Sequence, residues 1–307
     1  MTLELVNVNK YFGQQHVIED LNLKVKEGSV FGFLGPNGAG KTTTMRMILD
    51  IIRPDEGRIS WKGEKMNLEK SHNFGYLPEE RGLYPKMNIK DQMIFFARLK
   101  GLSAKDAEKE IGAWIERFQL QDLMKKKANE LSKGNQQKVQ FILAVLNRPE
   151  LLILDEPFSG LDPVNVELLK KAFIDLAHEG KTILFSSHRM EHVEELCDSL
   201  CLIKKGKIIA QGTVEGVKRG TGRKIVHLAV AGSLDFLSSF GIDPQIKVRL
   251  DEGNGEQIRS TEFDLPPRID PQEILRLAMG AGTVLQFEIG DPSLNEVFIS
   301  LVGGEAQ

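Results

Sequence analysis

The stretch that decides the fold of this chain is Gly35-Pro36-Asn37-Gly38-Ala39-Gly40-Lys41-Thr42. It follows an apolar run, Val30–Leu34, that reads as a buried strand, and it precedes a helix that begins near Thr43. A glycine loop between a strand and a helix is the context in which this spacing forms a phosphate site. The glycines let the backbone wrap closely round an anion, and the helix adds its free N-terminal amides and the positive end of its dipole.

Two side chains at the end of this loop are expected to carry its chemistry. Lys41 is placed to reach the β- and γ-phosphates of a nucleotide, and the Thr42 hydroxyl is placed to hold Mg²⁺. The other phosphate contacts are expected from the backbone between Gly35 and Thr43. The sequence therefore predicts a nucleotide-binding protein.

Size and composition narrow the class of protein further. With 307 residues, 41% of them hydrophobic and 27% charged, the chain is predicted to be globular and to hold two domains. Its formal net charge of −3 gives no reason to expect nucleic acid as a ligand. The longest apolar run, 141–146, is too short for a membrane span, and the N-terminus lacks the pattern of a secretory signal. Cys197 and Cys201 read as buried residues of a reducing compartment, so we expect a cytosolic location.

The hydrophobic pattern divides the first part of the chain, 1–215, into a sheet and an insertion. Residues 1–34 read as strands, and the periodicity becomes helical over about 88–149. Leu151–Leu154 and Thr182–Phe185 are continuous apolar runs, as expected of parallel strands covered on both faces. We therefore predict an α/β sheet with an inserted helical subdomain.

A second domain is predicted over residues 220–307. The basic, glycine-containing stretch 218–224 reads as a linker. After it the pattern predicts a strand, a helix over 233–239, two strands, a second helix and a strand, followed by a last helix over 293–301. This order is that of a small α+β, ferredoxin-like domain.

Two acidic residues, Asp155 and Glu156, follow the Leu151–Leu154 strand directly. In parallel sheets ligands gather at the carboxyl edge, so these carboxylates are expected beside the phosphate loop. Asp155 fits the acid that helps hold Mg²⁺, and Glu156 fits the base that orients an attacking water. The alternative is that this segment only caps the helix that follows.

Several motifs taken together resemble the ATP-binding-cassette (ABC) family. The matching stretches are Tyr11 for the adenine-stacking aromatic residue, Gly35–Thr42 for the phosphate loop, Leu131–Gln137 for the family signature, Leu151–Pro157 for the acidic strand end, Ser159–Asp162 for the loop after it and His188 for the switch histidine. The resemblance covers residues 1–215. It implies the α/β sheet of a P-loop ABC ATPase with ATP and Mg²⁺ as ligands. Outside this resemblance, Tyr11 reads as a packing residue and His188 as a polar residue at a strand end.

The resemblance also implies a head-to-tail dimer with two ATP molecules at its interface. In the family the signature, here Ser132 and Gly134, contacts the nucleotide of the second copy, and Asp162 belongs to the adjoining loop. The helix that begins near Ser132 presents an anion-binding N-terminus with no phosphate of its own. His188 is expected to sense the γ-phosphate. The partner copy is either identical or a related ATPase.

Glu79 departs from the family pattern, which usually has glutamine after a short strand ending in proline. If the segment keeps its family position, Glu79 lies near Mg²⁺ and the attacking water. Lys133 and Asn135 stand where glycine and glutamine are common in the signature. Glu79–Pro85 and Asp291–Phe298 resemble the branch of the family that pairs with separate six-span permeases and exports ions, lipids or drugs.

The function implied is the ATPase subunit of a membrane exporter, bound peripherally to the cytosolic face of the cell membrane. An integral-membrane permease is expected to dock near Leu83, Tyr84 and the helix starting at Asn88; the alternative is that Leu83 and Tyr84 pack against the inserted helices. A soluble ABC ATPase that acts on ribosomes or DNA is the main alternative function. A regulatory binder that no longer hydrolyses ATP is disfavoured, because Glu156 and His188 are both present.

Overall fold

A computed structural model describes residues 3–67, 69, 73–80, 82–242, 247–250, 257–265 and 268–303. The chain divides into two compact units, Met1–Val214 and Glu215–Gln307. Among the described residues, none of the helices is both long and apolar enough to cross a membrane.

In the part of the first unit that the structure describes, the strands form two sheets. Its strands, in chain order, are β1 (Leu3–Phe12), β2 (Gln15–Val25), β3 (Val30–Leu34), β4 (Glu56–Trp61), β5 (Glu64–Lys65), β6 (Gly75–Leu77), β7 (Leu151–Leu154), β8 (Thr182–Ser187), β9 (Ser199–Lys204) and β10 (Lys207–Thr213). An antiparallel sheet has the order β2-β1-β4-β5, and the six-stranded main sheet has the order β10-β9-β3-β8-β7-β6.

The main sheet is parallel from β9 to β6, with β10 as an antiparallel edge strand. Strands β3, β7 and β8 are buried along their whole length, as their continuous apolar runs predict. Cys201 lies buried in β9, and burial raises the pKa of its thiol, so it is a structural cysteine. Because β3, β8, β7 and β6 are neighbours, their carboxyl ends meet at one edge of the sheet.

Helices of the first unit cover the main sheet and form the insertion. Those that the structure describes are α1 (Lys41–Ile48), α2 (Ile89–Leu99), α3 (Ala104–Arg117), α4 (Lys133–Val145), α5 (Pro163–His178) and α6 (Met190–Leu196). Helices α2, α3 and α4 lie in the chain between β6 and β7, which are paired in the sheet. The predicted insertion of a helical subdomain into an α/β sheet is therefore confirmed.

Local sequence explains where the inserted helices begin and how they pack. Asn88, Ser103 and Ser132 are N-caps, and each side chain accepts a hydrogen bond from the amide three residues further on. On α4, Phe141 stacks on Phe173 of α5 with 5.8 Å between ring centroids. Phe173 in turn meets Phe185 of β8 edge to face. This aromatic row joins the insertion to the main sheet.

The second unit is an antiparallel sheet with helices. Its elements are α7 (Val214–Arg219), which begins at the unit boundary, β11 (Lys224–Gly232), β12 (Lys247–Leu250), β13 (Gln257–Leu265), α8 (Pro271–Ala281), β14 (Gly282–Gly290) and α9 (Leu294–Gly303). The strand order β12-β13-β11-β14 places the first strand of the unit beside its last, which is the ferredoxin-like arrangement. The predicted fold class is therefore confirmed for this unit as well.

One predicted element of the second unit has a different form. The helix expected over 233–239 is a 3-10 helix, Asp235–Phe240. The Ser238 and Ser239 hydroxyls donate to the carbonyls of Asp235 and Phe236, three residues before each of them. Such local side-chain bonds compete with an α-helical ladder and suit a short, tight turn of helix.

The neighbouring elements take up part of the stretch read as a linker, 218–224. Its first two residues end α7, its last residue begins β11, and only residues 220–223 lie between these elements. Each unit has its own buried cluster, with Val226, Leu228 and Val230 at the centre of the second. The domain boundaries proposed from the sequence, 1–215 and 220–307, lie close to this division of the chain.

We expect the first unit to fold without the second, because its buried cluster is made of its own residues. A chain ending at Gly220, which keeps α7 whole, should be soluble, unfold in one cooperative transition and bind ATP as the full-length protein does. Thermal unfolding and equilibrium ATP binding would measure this. An insoluble product, or one that folds but has lost ATP binding, would contradict the proposed boundary.

Candidate nucleotide-binding site

The phosphate loop follows β3 and runs into α1, as the sequence predicts. Two of its glycines are required by close approaches of the backbone. A Cβ atom at Gly35 would lie 2.3 Å from the carbonyl oxygen of Ile203, and one at Gly40 would lie 2.4 Å from Cδ1 of Ile18. Gly40 also has a φ of 106°, which favours glycine. Packing against β2 and β9 therefore fixes the shape of the loop.

Lys41 is buried, and its ammonium group turns back on the loop. Nζ donates to the carbonyl oxygens of Gly35, at 2.7 Å, and Pro36, at 3.2 Å. Burial lowers the pKa of Lys41, and neighbouring carboxylates counteract this shift; in decreasing order of effect they are Glu156, Asp155 and Glu79. An ammonium group held in this way is available to phosphate oxygens, which are stronger acceptors than carbonyls.

Asp155 lies where the carboxyl ends of β6, β7 and β8 meet. Its carboxylate is 1% exposed, and one oxygen, Oδ2, accepts a hydrogen bond of 2.6 Å from the Thr42 hydroxyl. The other oxygen, Oδ1, accepts from the Ser186 hydroxyl at the end of β8. The amide of Asp155 donates to the carbonyl of Leu77 at the end of β6. Two of the residues proposed as metal ligands, Thr42 and Asp155, are thus in direct contact.

Glu156 faces the same edge of the sheet and is paired with His188. Its Oε2 atom lies 2.9 Å from Nδ1 of His188. Its backbone φ is 50°, a conformation that residues other than glycine adopt mainly in special positions. The amide of Glu156 donates to Ser186 Oγ, and its carbonyl accepts from the buried Gln137 of α4. Contacts from β8 and α4 therefore hold the backbone in this unusual conformation.

A pocket of about 270 Å³ lies over these groups. The residues that line it are Val17, Asn37, Gly38, Gly40, Lys41, Thr42, Thr43, Glu79, Asp155 and Glu156. The pocket brings together residues that the sequence assigned to the phosphates, the metal and the base. Glu79 reaches it from the segment after β6, so it lies where the resemblance to the family places it.

The donor set in this pocket fits Mg²⁺. Thr42, Asp155 and Glu79 offer hydroxyl and carboxylate oxygens, which are the ligands that Mg²⁺ prefers. Within the described parts of the chain, no cluster of three or more His, Cys, Asp or Glu side chains forms a metal cage.

The signature residues lie outside the lining of this pocket. Ser132 is exposed at the N-cap of α4, and Asp162 is exposed at the N-cap of α5. A Cβ atom at Gly134 would lie 3.5 Å from the carbonyl oxygen of Gly160, so the two helix starts are side by side. Both residues have the capping role expected of any N-cap, and both remain accessible to another molecule.

Tyr11 also lies outside the lining of the pocket. Its ring, 39% exposed, stacks on the imidazole of His16, with 4.2 Å between centroids and 14° between the planes. Its backbone amide donates to Asp55. One face of the Tyr11 ring is therefore packed against His16, and stacking of adenine on the other face stays a prediction.

Ser186 and Gln140 also contribute to the site, although no motif of the sequence includes them. Ser186 lies in the extension of an apolar strand, where a buried hydroxyl signals a specific partner. Gln140 is buried on α4, where it follows Gln137 at helical spacing, and its Nε2 donates to the carbonyl of Glu80. A polar residue within an apolar strand or on the buried face of a helix is the sequence signal that could have identified both.

Comparison with known proteins places this geometry in a family. The family model described as ABC transporter matches residues 18–159, and the model described as ATP-binding protein DrrA1-3-like, C-terminal domain, matches residues 212–302. The uncharacterized ABC transporter ATP-binding protein YhaQ of Bacillus subtilis strain 168 is 52% identical over 98% of both chains. Nod factor export ATP-binding protein I of Burkholderia lata is 33% identical over 99% of this chain and 98% of its own.

A solved structure of the ATP-binding subunit of an ABC transporter has the same fold. It superposes with a TM-score of 0.68 and 31% identity, and the match covers 72% of this chain and 94% of that one.

Replacing Glu79 by glutamine should change ATP and Mg²⁺ binding in opposite directions. Without Mg²⁺ the Glu79 carboxylate repels the triphosphate, so Glu79→Gln should tighten ATP binding in EDTA. With Mg²⁺ the carboxylate attracts the ion, so the variant should need more Mg²⁺ for half-maximal ATPase activity. Unit charges ~4 Å apart in water interact by about 1 kcal/mol, which corresponds to about a fivefold change in each quantity.

Glu80→Gln is the matched control, because Glu80 is exposed and does not line the pocket. It should leave both quantities unchanged. If Glu79→Gln moves neither quantity, or moves both in the same direction, Glu79 does not lie at the metal.

Proposed function

Since the chain belongs to the ATP-binding subunits of ABC transporters, which are ATPases, we propose that it powers a membrane exporter by hydrolysing ATP in the pocket around Lys41. The observation that carries the proposal is the pairing of Glu156 with His188 beside the bonded Thr42 and Asp155. A base, its partner, a phosphate-binding lysine and a pair of metal ligands thus share one edge of the sheet.

Each residue at this edge of the sheet has its own role in the proposed reaction. The loop amides and Lys41 bind the β- and γ-phosphates, and Thr42 and Asp155 hold Mg²⁺. The metal, when bound, neutralises charge that develops on the phosphate oxygens. Glu156 orients a water molecule and accepts its proton as the water attacks the γ-phosphorus, while the bond between the γ-phosphorus and the bridging oxygen breaks and ADP leaves. His188 holds Glu156 through Nδ1, which leaves its Nε2 atom for the γ-phosphate.

Export is the direction of transport that the relatives favour. The Nod factor export ATP-binding protein I of Burkholderia lata is similar along nearly the whole chain, including the second unit. A C-terminal match to the DrrA1-3-like domain extends the likeness to residues 212–302. We propose in addition that the chain lies peripherally on the cytosolic face of the membrane, beneath a separate permease.

ATP is proposed to hold two copies together. The exposed start of α4 at Ser132 carries free helix amides but belongs to none of the phosphate contacts of its own pocket. The neighbouring start of α5 is also exposed, and Val164 on it is 72% exposed. A two-fold arrangement that places this surface over the pocket of the other copy gives each γ-phosphate a second set of donors.

The permease is proposed to dock on a surface that we call the aromatic patch, made of Tyr84, Phe95 and Leu99. These side chains are 52%, 46% and 59% exposed, and Tyr84 contacts the ring of Phe95. Leu83, by contrast, is buried and does not belong to this surface, whereas Tyr84 also stacks on Phe96 of α2 with 5.9 Å between ring centroids, so packing against the inserted helices stays an alternative for part of its ring. Exposed aromatic clusters of this kind are typical anchors of protein interfaces. The patch follows Glu79 closely in sequence, so a movement of the permease can reach the pocket.

Replacing Glu156 by glutamine should stop turnover and trap the dimer. The amide keeps the shape of the side chain but cannot accept the proton from water, while Lys41, Thr42 and Asp155 remain to bind MgATP. Gel filtration with ATP and Mg²⁺ should show a dimer for Glu156→Gln, and the phosphate-release rate should fall by at least about a hundredfold. Adding Ser132→Arg should return the trapped dimer to monomers that still bind ATP.

A Glu156→Gln protein that stays monomeric at high concentration, or that hydrolyses ATP at the wild-type rate, contradicts this assignment.

Cysteine cross-linking should locate the permease on the aromatic patch. In membranes of cells that make the protein, Tyr84→Cys should cross-link to one integral-membrane protein. Phe12→Cys is the control, because Phe12 is an aromatic residue with nearly the same exposure, 50%, on β1. Equal yields at both positions, or no product from Tyr84→Cys while transport continues, would count against docking at this surface.

A further inference from the structure

Ser186 is a buried hydroxyl at the carboxyl end of β8. Its side chain is completely inaccessible to solvent. Strand β8 lies between β3 and β7, so its end is flanked by the phosphate loop on one side and by Asp155 on the other. Ser186 does not line the nucleotide pocket and cannot touch a bound ligand there. Any role in the reaction must therefore act through its neighbours.

The hydroxyl of Ser186 is bonded to two consecutive acidic residues. It donates to Oδ1 of Asp155 over 2.5 Å and accepts from the amide of Glu156 over 2.9 Å. A serine hydroxyl has a single proton, and here the carboxylate takes it. The direction of the O–H bond is thereby fixed, and with it the plane of the Asp155 carboxylate.

The orientation of the Asp155 carboxylate decides which of its oxygens faces the Thr42 hydroxyl. With Oδ1 held by Ser186, Oδ2 points at the Thr42 hydroxyl, 2.6 Å away. Without Ser186 the carboxylate is free to turn about its last torsion, since terminal sp³–sp² torsions are broad. Thr42 and Asp155 would then no longer be held at a constant separation.

The second bond of Ser186 supports the backbone of Glu156. The amide of Glu156 is buried, and its acceptor is this hydroxyl. The residue has a φ of 50°, so it needs contacts from its surroundings to keep that conformation. From this backbone the side chain reaches His188 at 2.9 Å.

We propose that Ser186 is a positioning residue for ATP hydrolysis, whose single hydroxyl holds Asp155 toward Thr42 at the metal and fixes the backbone from which Glu156 reaches His188. The neighbouring serine does not share this role. The hydroxyl of Ser187 accepts from the amide of Arg189 and donates to its carbonyl, so it serves the turn after the strand. The proposal rests on the proposed function in that Asp155 and Thr42 hold Mg²⁺.

Metal affinity measured without turnover tests this role directly. Mn²⁺ replaces Mg²⁺, and electron paramagnetic resonance measures its binding to the full-length protein with a non-hydrolysable ATP analogue. Ser186→Ala should weaken Mn²⁺ binding about tenfold, because Asp155 is no longer oriented. The affinity for ATP in EDTA should stay within about twofold of the wild type, because the loop and Lys41 are untouched.

Thr182→Val is the matched control on the same strand. Thr182 is also buried, and its hydroxyl accepts from a backbone amide, that of Gly28, but it lies at the opposite end of β8 and bonds no carboxylate. It should lower the unfolding temperature about as much as Ser186→Ala and leave Mn²⁺ affinity unchanged.

The possible outcomes distinguish a failure of the positioning role of Ser186 from a failure of the proposed metal site. If the wild type binds Mn²⁺ with nucleotide and Ser186→Ala binds it equally well, the positioning role is overturned. An equal loss of Mn²⁺ affinity in Thr182→Val also overturns it, since the effect would then follow from general destabilisation. If the wild type itself binds no Mn²⁺ with nucleotide, the assignment of the metal to Thr42 and Asp155 fails instead.

Discussion

A buried carboxylate needs hydrogen bonds in place of water, and the arrangement of the nucleotide site depends on how this need is met at Asp155. The group is almost inaccessible, and an unpaired charge in such a place would be strongly destabilising. Thr42 and Ser186 supply the two donors, each from the end of a different element. These bonds form only if β3, β8 and β7 lie side by side in that order. The site can therefore assemble only if the strands of the sheet lie in this order.

The signature helix α4 links this site to the surface proposed for the permease. Gln137 on its buried face donates to the carbonyls of Glu156 and Pro157, and Gln140 donates to the carbonyl of Glu80. The segment that carries Glu79 and the segment that carries Glu156 are thus both bonded to one rigid element. The aromatic contact of Phe141 with α5 anchors the same helix against the sheet. A displacement of α4 is expected to alter both segments together.

The second unit shows how far periodicity alone can predict a fold. The alternation of apolar residues located the strands, and their order along the chain predicted the ferredoxin-like sheet, which the strand pairing confirms. A helix is predicted over 233–239, and the structure has a 3-10 helix at Asp235–Phe240. Periodicity cannot distinguish these forms over so few residues, because the difference depends on hydroxyls bonding back to nearby carbonyls.

The sequence by itself determined whatever depends on neighbours along the chain. The phosphate loop and the buried strands follow from local spacing, because backbone conformation responds mainly to adjacent residues, and the motifs within residues 1–215 resemble those of the ABC family. The carboxyl edge of the sheet predicted Asp155 beside the phosphate loop, but only the tertiary structure decided which atoms of distant side chains bond to one another. It joined Thr42 to Asp155 across 113 positions, placed Ser186 beneath both acidic residues and stacked Tyr11 on His16. Those contacts depend on the order of strands in the sheet and on the burial of a common core, which no single stretch of sequence contains.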